Sequence, residues 1–188
     1  MSCIATTELL TCISCRLHEF RTQVVAGHGD SNATIAGVGE APGQQEDEHG
    51  VPFYPNAPAG RRLDMLLERV GLTRAQIWLD NVVHCQPPNN NLRAYPDAQA
   101  ICPDLWLRPM LAGLPNLRVV VAFGATAGAL WFPGHTATEM SKLARSCKEG
   151  YTVVGAFHPA YAVRAGEWVD ASIEASLRRA ITYATVSR

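Results

Sequence analysis

Short apolar runs alternate along the chain with stretches of helical periodicity. Residues 34–39 (TIAGVG) read as a short buried strand that ends in a glycine turn. Residues 77–83 read as a second strand with Asn81 at its end, 117–123 as a third, and 151–157 as a fourth running into His158-Pro159. Between the first two, Leu63, Leu66, Leu67 and Val70 recur at helical spacing within residues 59–70, and Gly71 supplies a stop signal. Further helices are expected over 96–114, 125–132 and 167–186. Four strands separated by helices predict an α/β fold with right-handed crossovers: a three-layer α/β/α sandwich around a central four-stranded parallel sheet. No repeat, low-complexity tract or linker interrupts the pattern, so residues 1–188 are expected to form a single domain.

Composition narrows the function. Hydrophobic residues make up 47% and charged residues 18%, enough for a full core and too little charge for a disordered chain. Sixteen Lys and Arg against seventeen Asp and Glu leave a net charge of −1, which excludes an acidic tail protein and a broadly basic DNA-coating protein. Nucleic-acid contact must therefore come from local patches. Fourteen of the sixteen cations are Arg, whose forked guanidinium suits phosphate. The longest uncharged run, 119–138, is broken by Gly124, Gly128, Pro133 and Gly134 and reads as strand, turn and helix, not as a membrane span. The N-terminus, MSCIATTELL, lacks a basic segment followed by an apolar core, so a soluble cytoplasmic protein without membrane contact is expected.

The six cysteines are Cys3, Cys12, Cys15, Cys85, Cys102 and Cys147. A reducing compartment disfavours a disulfide framework. Cys12 and Cys15 form a C-x2-C pair; sixty-nine residues separate it from Cys85, and sixteen more lead to Cys102. Prolines stiffen the chain after both later cysteines (Pro87, Pro88 and Pro103). Four thiolates suit zinc or an iron–sulfur cluster. The competing reading makes C-x-x-C a redox pair and the other two loop packing. Cys3 and Cys147 have no evident partner and read as bystanders. In a parallel sheet, ligands bind beyond the carboxyl ends of the strands. There the sequence places Gly39-Glu40-Ala41-Pro42-Gly43 with Glu46-Asp47, then Asn81, then His158. Each taken singly has a plain structural reading: a turn, a strand-end cap, a satisfied histidine.

Together these segments resemble family 4 uracil-DNA glycosylases. Gly39-Glu40-Ala41-Pro42-Gly43, with Glu46-Asp47 and Gly50-x-Pro52-Phe53, is similar to the family's first motif. Asn81-Val82-Val83-His84-Cys85-Gln86-Pro87-Pro88 resembles its strand-end Asn, cluster cysteine and prolines. Residues 122–127 (AFGATA) and His158-Pro159-Ala160-Tyr161-Ala162-Val163-Arg164 are similar to its third strand and final motif. The resemblance spans about residues 10–165. It implies an enzyme that hydrolyses the N-glycosidic bond of uracil in single- or double-stranded DNA, leaving an abasic site. It also implies a [4Fe–4S] cluster on Cys12, Cys15, Cys85 and Cys102, with zinc the lesser alternative. Activity as a monomer is expected.

The implied substrate set is Gly39, Ala41, Phe53, Asn81, His158 and Arg164. Phe53 stacks on an extruded base. Asn81 accepts from uracil N3–H while donating to O4, a pattern that cytosine reverses. His158 donates to O2, where charge grows as the bond breaks. The implied catalytic set is Asn81, His158 and two carboxylates, Glu46 for the water and Glu40 for pocket shape. Arg164 is expected on a phosphate, with Ala162 and Val163 filling the gap left in the stack. Several positions depart from the family pattern. Ala41 replaces the Asp of the best-known uracil glycosylases, as family 4 does. The turn after Phe53 is longer, His84 and Gln86 replace Lys and Arg beside Cys85, and Asn89-Asn90-Asn91 replaces Gly-Asn-Arg. The small Ala162 weakens the wedge. No basic His-bearing loop of the crosslinking kind precedes His158. Two other functions fit the same motifs: a glycosylase for hypoxanthine or xanthine, and a non-catalytic iron–sulfur DNA-binding protein.

Overall fold

A computed structural model describes residues 7–186. In chain order the elements are α1 (Thr7–Leu10), a 3-10 turn (Arg16–Glu19), β1 (His28–Gly29), β2 (Ile35–Gly39), α2 (Gln44–His49), α3 (Pro58–Arg69) and β3 (Trp78–Asn81). There follow α4 (Pro96–Cys102), a π-helical turn (Pro103–Leu107), α5 (Arg108–Ala112), β4 (Val119–Phe123), α6 (Gly124–Ala129) and α7 (Ala137–Met140). The chain then makes β5 (Ala144–Ser146), β6 (Thr152–Ala156), α8 (Pro159–Ala165) and α9 (Glu167–Thr185). The strands form one sheet in the order β1-β3-β2-β4-β6-β5. Its four central strands are parallel, as the sequence pattern predicts. Two short antiparallel strands, β1 and β5, extend it at the edges.

The apolar runs of the central strands divide between two cores because successive side chains point to opposite faces. Val119, Val121 and Phe123 face α3, α8 and α9, where Leu63, Leu66, Leu67, Ile173 and Leu177 pack. Val120 and Ala122, with Ala36 and Val38, face the other layer, built from Leu17, Leu107, Met110, Ala127 and Met140. The α4–α5 segment carries its π-helical turn from Pro103, directly after Cys102. Proline has no N–H to offer the preceding turn, so the hydrogen-bond ladder widens there. Arg62 ties three helices together: it lies 3.4 Å from Asp170 of α9 and donates to the Ala162 carbonyl of α8 at 3.2 Å. Among the described residues no helix is long and apolar enough to cross a membrane. Cys3 lies outside the described residues, as does the start of the N-terminal segment.

Candidate active site

Three strand ends meet at the carboxyl edge of the sheet. Gly39 closes β2 and Asn81 closes β3, paired in register; His158 follows β6 and caps α8. A Cβ built on Gly39 would stand 2.4 Å from Asn81 Oδ1 and 2.7 Å from Phe53 Cζ, so glycine is the residue that lets the carboxamide and the aromatic ring come together. The Phe53 ring stacks on His158, centroids 5.6 Å apart with planes 21° from parallel, and meets Phe123 edge-on at 5.7 Å. Phe53, Asn81 and His158 thus converge on one corner. Phe53 and Asn81 are each 2% exposed, and Asn81 Nδ2 is a buried donor with no partner among the described residues.

Phe53 sits at φ 49°, a left-handed conformation that costs an aromatic residue about 1–3 kcal/mol. Its backbone is gripped on both sides. Glu46 Oε1 accepts the Phe53 N–H, while Arg74 donates to the Phe53 carbonyl at 2.7 Å and to that of Pro52 at 3.3 Å. Arg74 is itself held by Asp64 at 2.8 Å. Gly60 lets α3 approach this turn: a Cβ there would stand 2.0 Å from the Tyr54 carbonyl oxygen.

His158 Nδ1 accepts the Ala160 N–H at 3.1 Å, which leaves the proton on Nε2. Burial, helped by the charge of Arg164, lowers its pKa to about 4, so the imidazole is a neutral donor at pH 7. Gly124, at φ 85°, turns β4 into α6 beside the His158 side chain.

A cavity of about 590 Å³ opens beside this corner, with Glu40, Ala41, Glu46, His158, Tyr161 and Arg164 among its lining. Thr126 donates to Glu40 Oε2 at 2.6 Å, which holds that carboxylate by one oxygen. Both oxygens of Glu46 receive backbone N–H groups, Oε2 from Gly43 at 2.6 Å and Oε1 from Phe53. Burial raises the Glu46 pKa against the pull of those hydrogen bonds and of Arg74. Arg164 is exposed, without an ion-pair partner among the described residues. The wedge expectation is corrected in part. Residues 159–165 form α8, and Ala162 is fully buried under Arg62, so it cannot enter a base stack. Tyr161 and Val163, 39% and 45% exposed, are the apolar residues on the open side of that helix.

The second cluster lies on the other face of the sheet. Cys12, Cys15, Cys85 and Cys102 line one small pocket together with Arg21, His84 and Trp106. Three of the four sulfurs accept from buried or half-buried N–H groups: Trp106 Nε1 to Cys12 at 3.3 Å, Arg21 to Cys85 at 3.2 Å, and His84 Nδ1 to Cys102 at 3.2 Å. Donors of this kind favour sulfur carrying negative charge. Burial pushes the Cys85 thiol up to about 11, with Arg21 working against it. Burial also opposes a charge on His84, yet the Asp80 carboxylate 2.9 Å away outweighs it and raises the imidazole to about 10. Among the described residues no three His, Cys, Asp or Glu form a set that could hold a single metal ion. Cys147 stands apart, half-buried after β5.

Residues 26–178 match the family model of the uracil DNA glycosylase superfamily. The chain belongs to that superfamily. It is 36% identical over 163 residues to a type-4 uracil-DNA glycosylase of Thermotoga maritima, covering 86% of this chain and 82% of the relative. A protein of the same name from Pyrobaculum aerophilum is 33% identical, covering 81% and 80%. Another, from Archaeoglobus fulgidus, is 38% identical over 125 residues, covering 66% and 60%. Within the superfamily frame, sequence motifs alone could not reveal the Arg74 grip on Phe53 or the Thr126 contact to Glu40, because each joins residues without a shared local motif. The Asp80–His84 pair, only four residues apart at the end of β3, was within reach of the sequence.

Proposed function

We propose that this chain excises uracil from DNA by hydrolysing the N-glycosidic bond, with a [4Fe–4S] cluster on Cys12, Cys15, Cys85 and Cys102 as a structural staple. The observation that carries the reading is the convergence of Phe53, Asn81 and a neutral His158 at one sheet edge. Uracil inside a duplex is out of reach, so the nucleotide is extruded or taken from a single strand. Phe53 is almost fully covered, so a base reaches its ring only as His158 gives way. Asn81 Oδ1 then accepts N3–H, and the unpartnered Nδ2 donates to O4. Cytosine would face acceptor with acceptor and donor with donor.

His158 Nε2–H donates to O2 as electrons from the breaking bond collect on the ring. The sugar becomes oxocarbenium-like and water adds to C1′. For the carboxylates, the hydrogen bonds favour the reverse of the expected division of labour. Glu46 anchors Phe53, while Glu40, with one oxygen held by Thr126 and the other without a partner among the described residues, orients the water. Arg164 supplies the cation for a neighbouring phosphate, and the chain acts as a monomer. The cluster, when bound, would tie the N-terminal segment to the α4 region through four thiolates, and no step of hydrolysis passes through it.

The test is incubation of purified protein with labelled single-stranded and duplex oligonucleotides carrying U, hypoxanthine, xanthine, T or C. Abasic product from U but not from T or C is expected. Release of purines alone, or tight binding without abasic product, would overturn the reading.

A further inference from the structure

One line of buried polar groups runs from the cysteine pocket to the end of β3. Cys102 Sγ lies 3.2 Å from His84 Nδ1, and the second ring nitrogen, Nε2, lies 2.9 Å from Asp80 Oδ1. That same oxygen accepts the Asn81 N–H at 2.8 Å. The Asp80 and His84 side chains are 0% and 1% exposed, so water does not compete for these contacts. The other Asp80 oxygen lies 3.5 Å from Trp78 Nε1.

We propose that His84 is a positioning residue. By bridging Cys102 and Asp80, it makes the cluster-bearing segment set the backbone of Asn81, and thereby the aim of the carboxamide that reads the base. The inference rests on the base pocket and the cluster proposed above. Beyond Asn81 the chain leaves the sheet, held by Val82 N–H to the Gly39 carbonyl at 3.0 Å and Val83 N–H to the Glu40 carbonyl at 3.1 Å. These backbone bonds fix the turn to β2, and Val83 and Cys85 carry the chain on into the cysteine pocket; the imidazole adds a side-chain connection from Asp80 to Cys102, which arrives from α4. A flat ring with a nitrogen at each end acts as a strut, because moving one end moves the other. The donor it places on a ligand sulfur also influences an iron centre electronically, since hydrogen bonds to sulfur help set cluster potentials.

The two ends can be separated by substitution. An Asn amide overlays Nδ1 and keeps the sulfur contact, whereas it does not reach Asp80. Wild type, His84→Ala and His84→Asn, purified anaerobically, are compared for iron per chain, reduction potential, and kcat and KM on a single-stranded uracil oligonucleotide. We expect the Ala variant to retain iron, to shift to a more negative potential, and to lose about tenfold or more in kcat with KM within about twofold. The Asn variant should recover the potential but not kcat. An Ala variant with wild-type kcat and potential would overturn the bridge alone. So would full recovery of kcat by Asn, or loss of iron and folding in both variants, which would make His84 merely structural. Active wild-type protein purified without iron would instead overturn the cluster, and the bridge with it.

Discussion

At the scale of single residues, the site works by leaving chosen polar atoms unsatisfied. Among the described residues Asn81 Nδ2 is buried without a partner, and His158 has one nitrogen committed to its own helix, which leaves the proton on the other. A buried unpaired donor is costly to the fold, and a matching acceptor on the substrate relieves that cost. The His158 titration follows from its burial. Its folded pKa, about 4, lies below the unfolded value near 6.5, so the unfolded chain binds the extra proton more readily. His158 therefore contributes a stability that is complete above pH 6.5 and lost as pH falls toward 4. NMR of the imidazole should show a midpoint near pH 4; a midpoint near 6.5 would mean that the ring is solvated and not the neutral donor described here. The two carboxylates are separable too. Glu40→Gln should slow uracil release about tenfold or more at unchanged thermal stability. Glu46→Gln should show first as a lower melting temperature, because its oxygens hold Gly43 and Phe53. Equal kinetic losses with equal melting temperatures would contradict that division.

At the scale of elements, the aromatic wall is held by groups that arrive from three directions: Glu46 from α2, Arg74 from the turn after α3, and Gly60 within α3 itself. Arg74→Ala should release the left-handed Phe53 backbone and raise KM more than it lowers stability. Steady-state kinetics beside a thermal melt measure this, and unchanged KM would count against the grip. The central strands were legible in the sequence because both of their faces are buried, which demands unbroken apolar runs such as Val119–Phe123. The edge strands were not. His28–Gly29 and Ala144–Ser146 are too short and too exposed to carry an apolar pattern. Nor was α2, whose six residues are all polar and whose limits are set by Glu46 accepting the Gly43 N–H and by Gly50 at φ 69°. Pro159 at the first position of α8, with His158 as its cap, was a readable helix start, although the motif reading assigned no element there. The burial of Ala162 follows from that helix.

At the scale of the whole molecule, the sheet separates two centres. The base corner opens at the strand ends, and the cysteine pocket gathers segments from residues 12–15, 85 and 102 against the face carrying Leu17 and Leu107. Asp47 links the regions, accepting Thr22 N–H at 2.8 Å from the helix that carries Glu46. The spacing of the four cysteines was legible, but the Arg21 contact to Cys85 and the Trp106 contact to Cys12 were not, because each donor is far in sequence from the sulfur it reaches. Cys12→Ala should lower melting temperature and iron content before it changes the chemical step. A variant that folded with normal stability and yet lost turnover would rule out a staple. The most direct test of the account is single-turnover uracil release by wild type and Asn81→Ala, each paired with a thermal melt. The account predicts a loss of about 100-fold or more in rate, with a melting temperature equal to or above that of wild type, since the substitution removes an unsatisfied buried donor. A variant that releases uracil at the wild-type rate would contradict it.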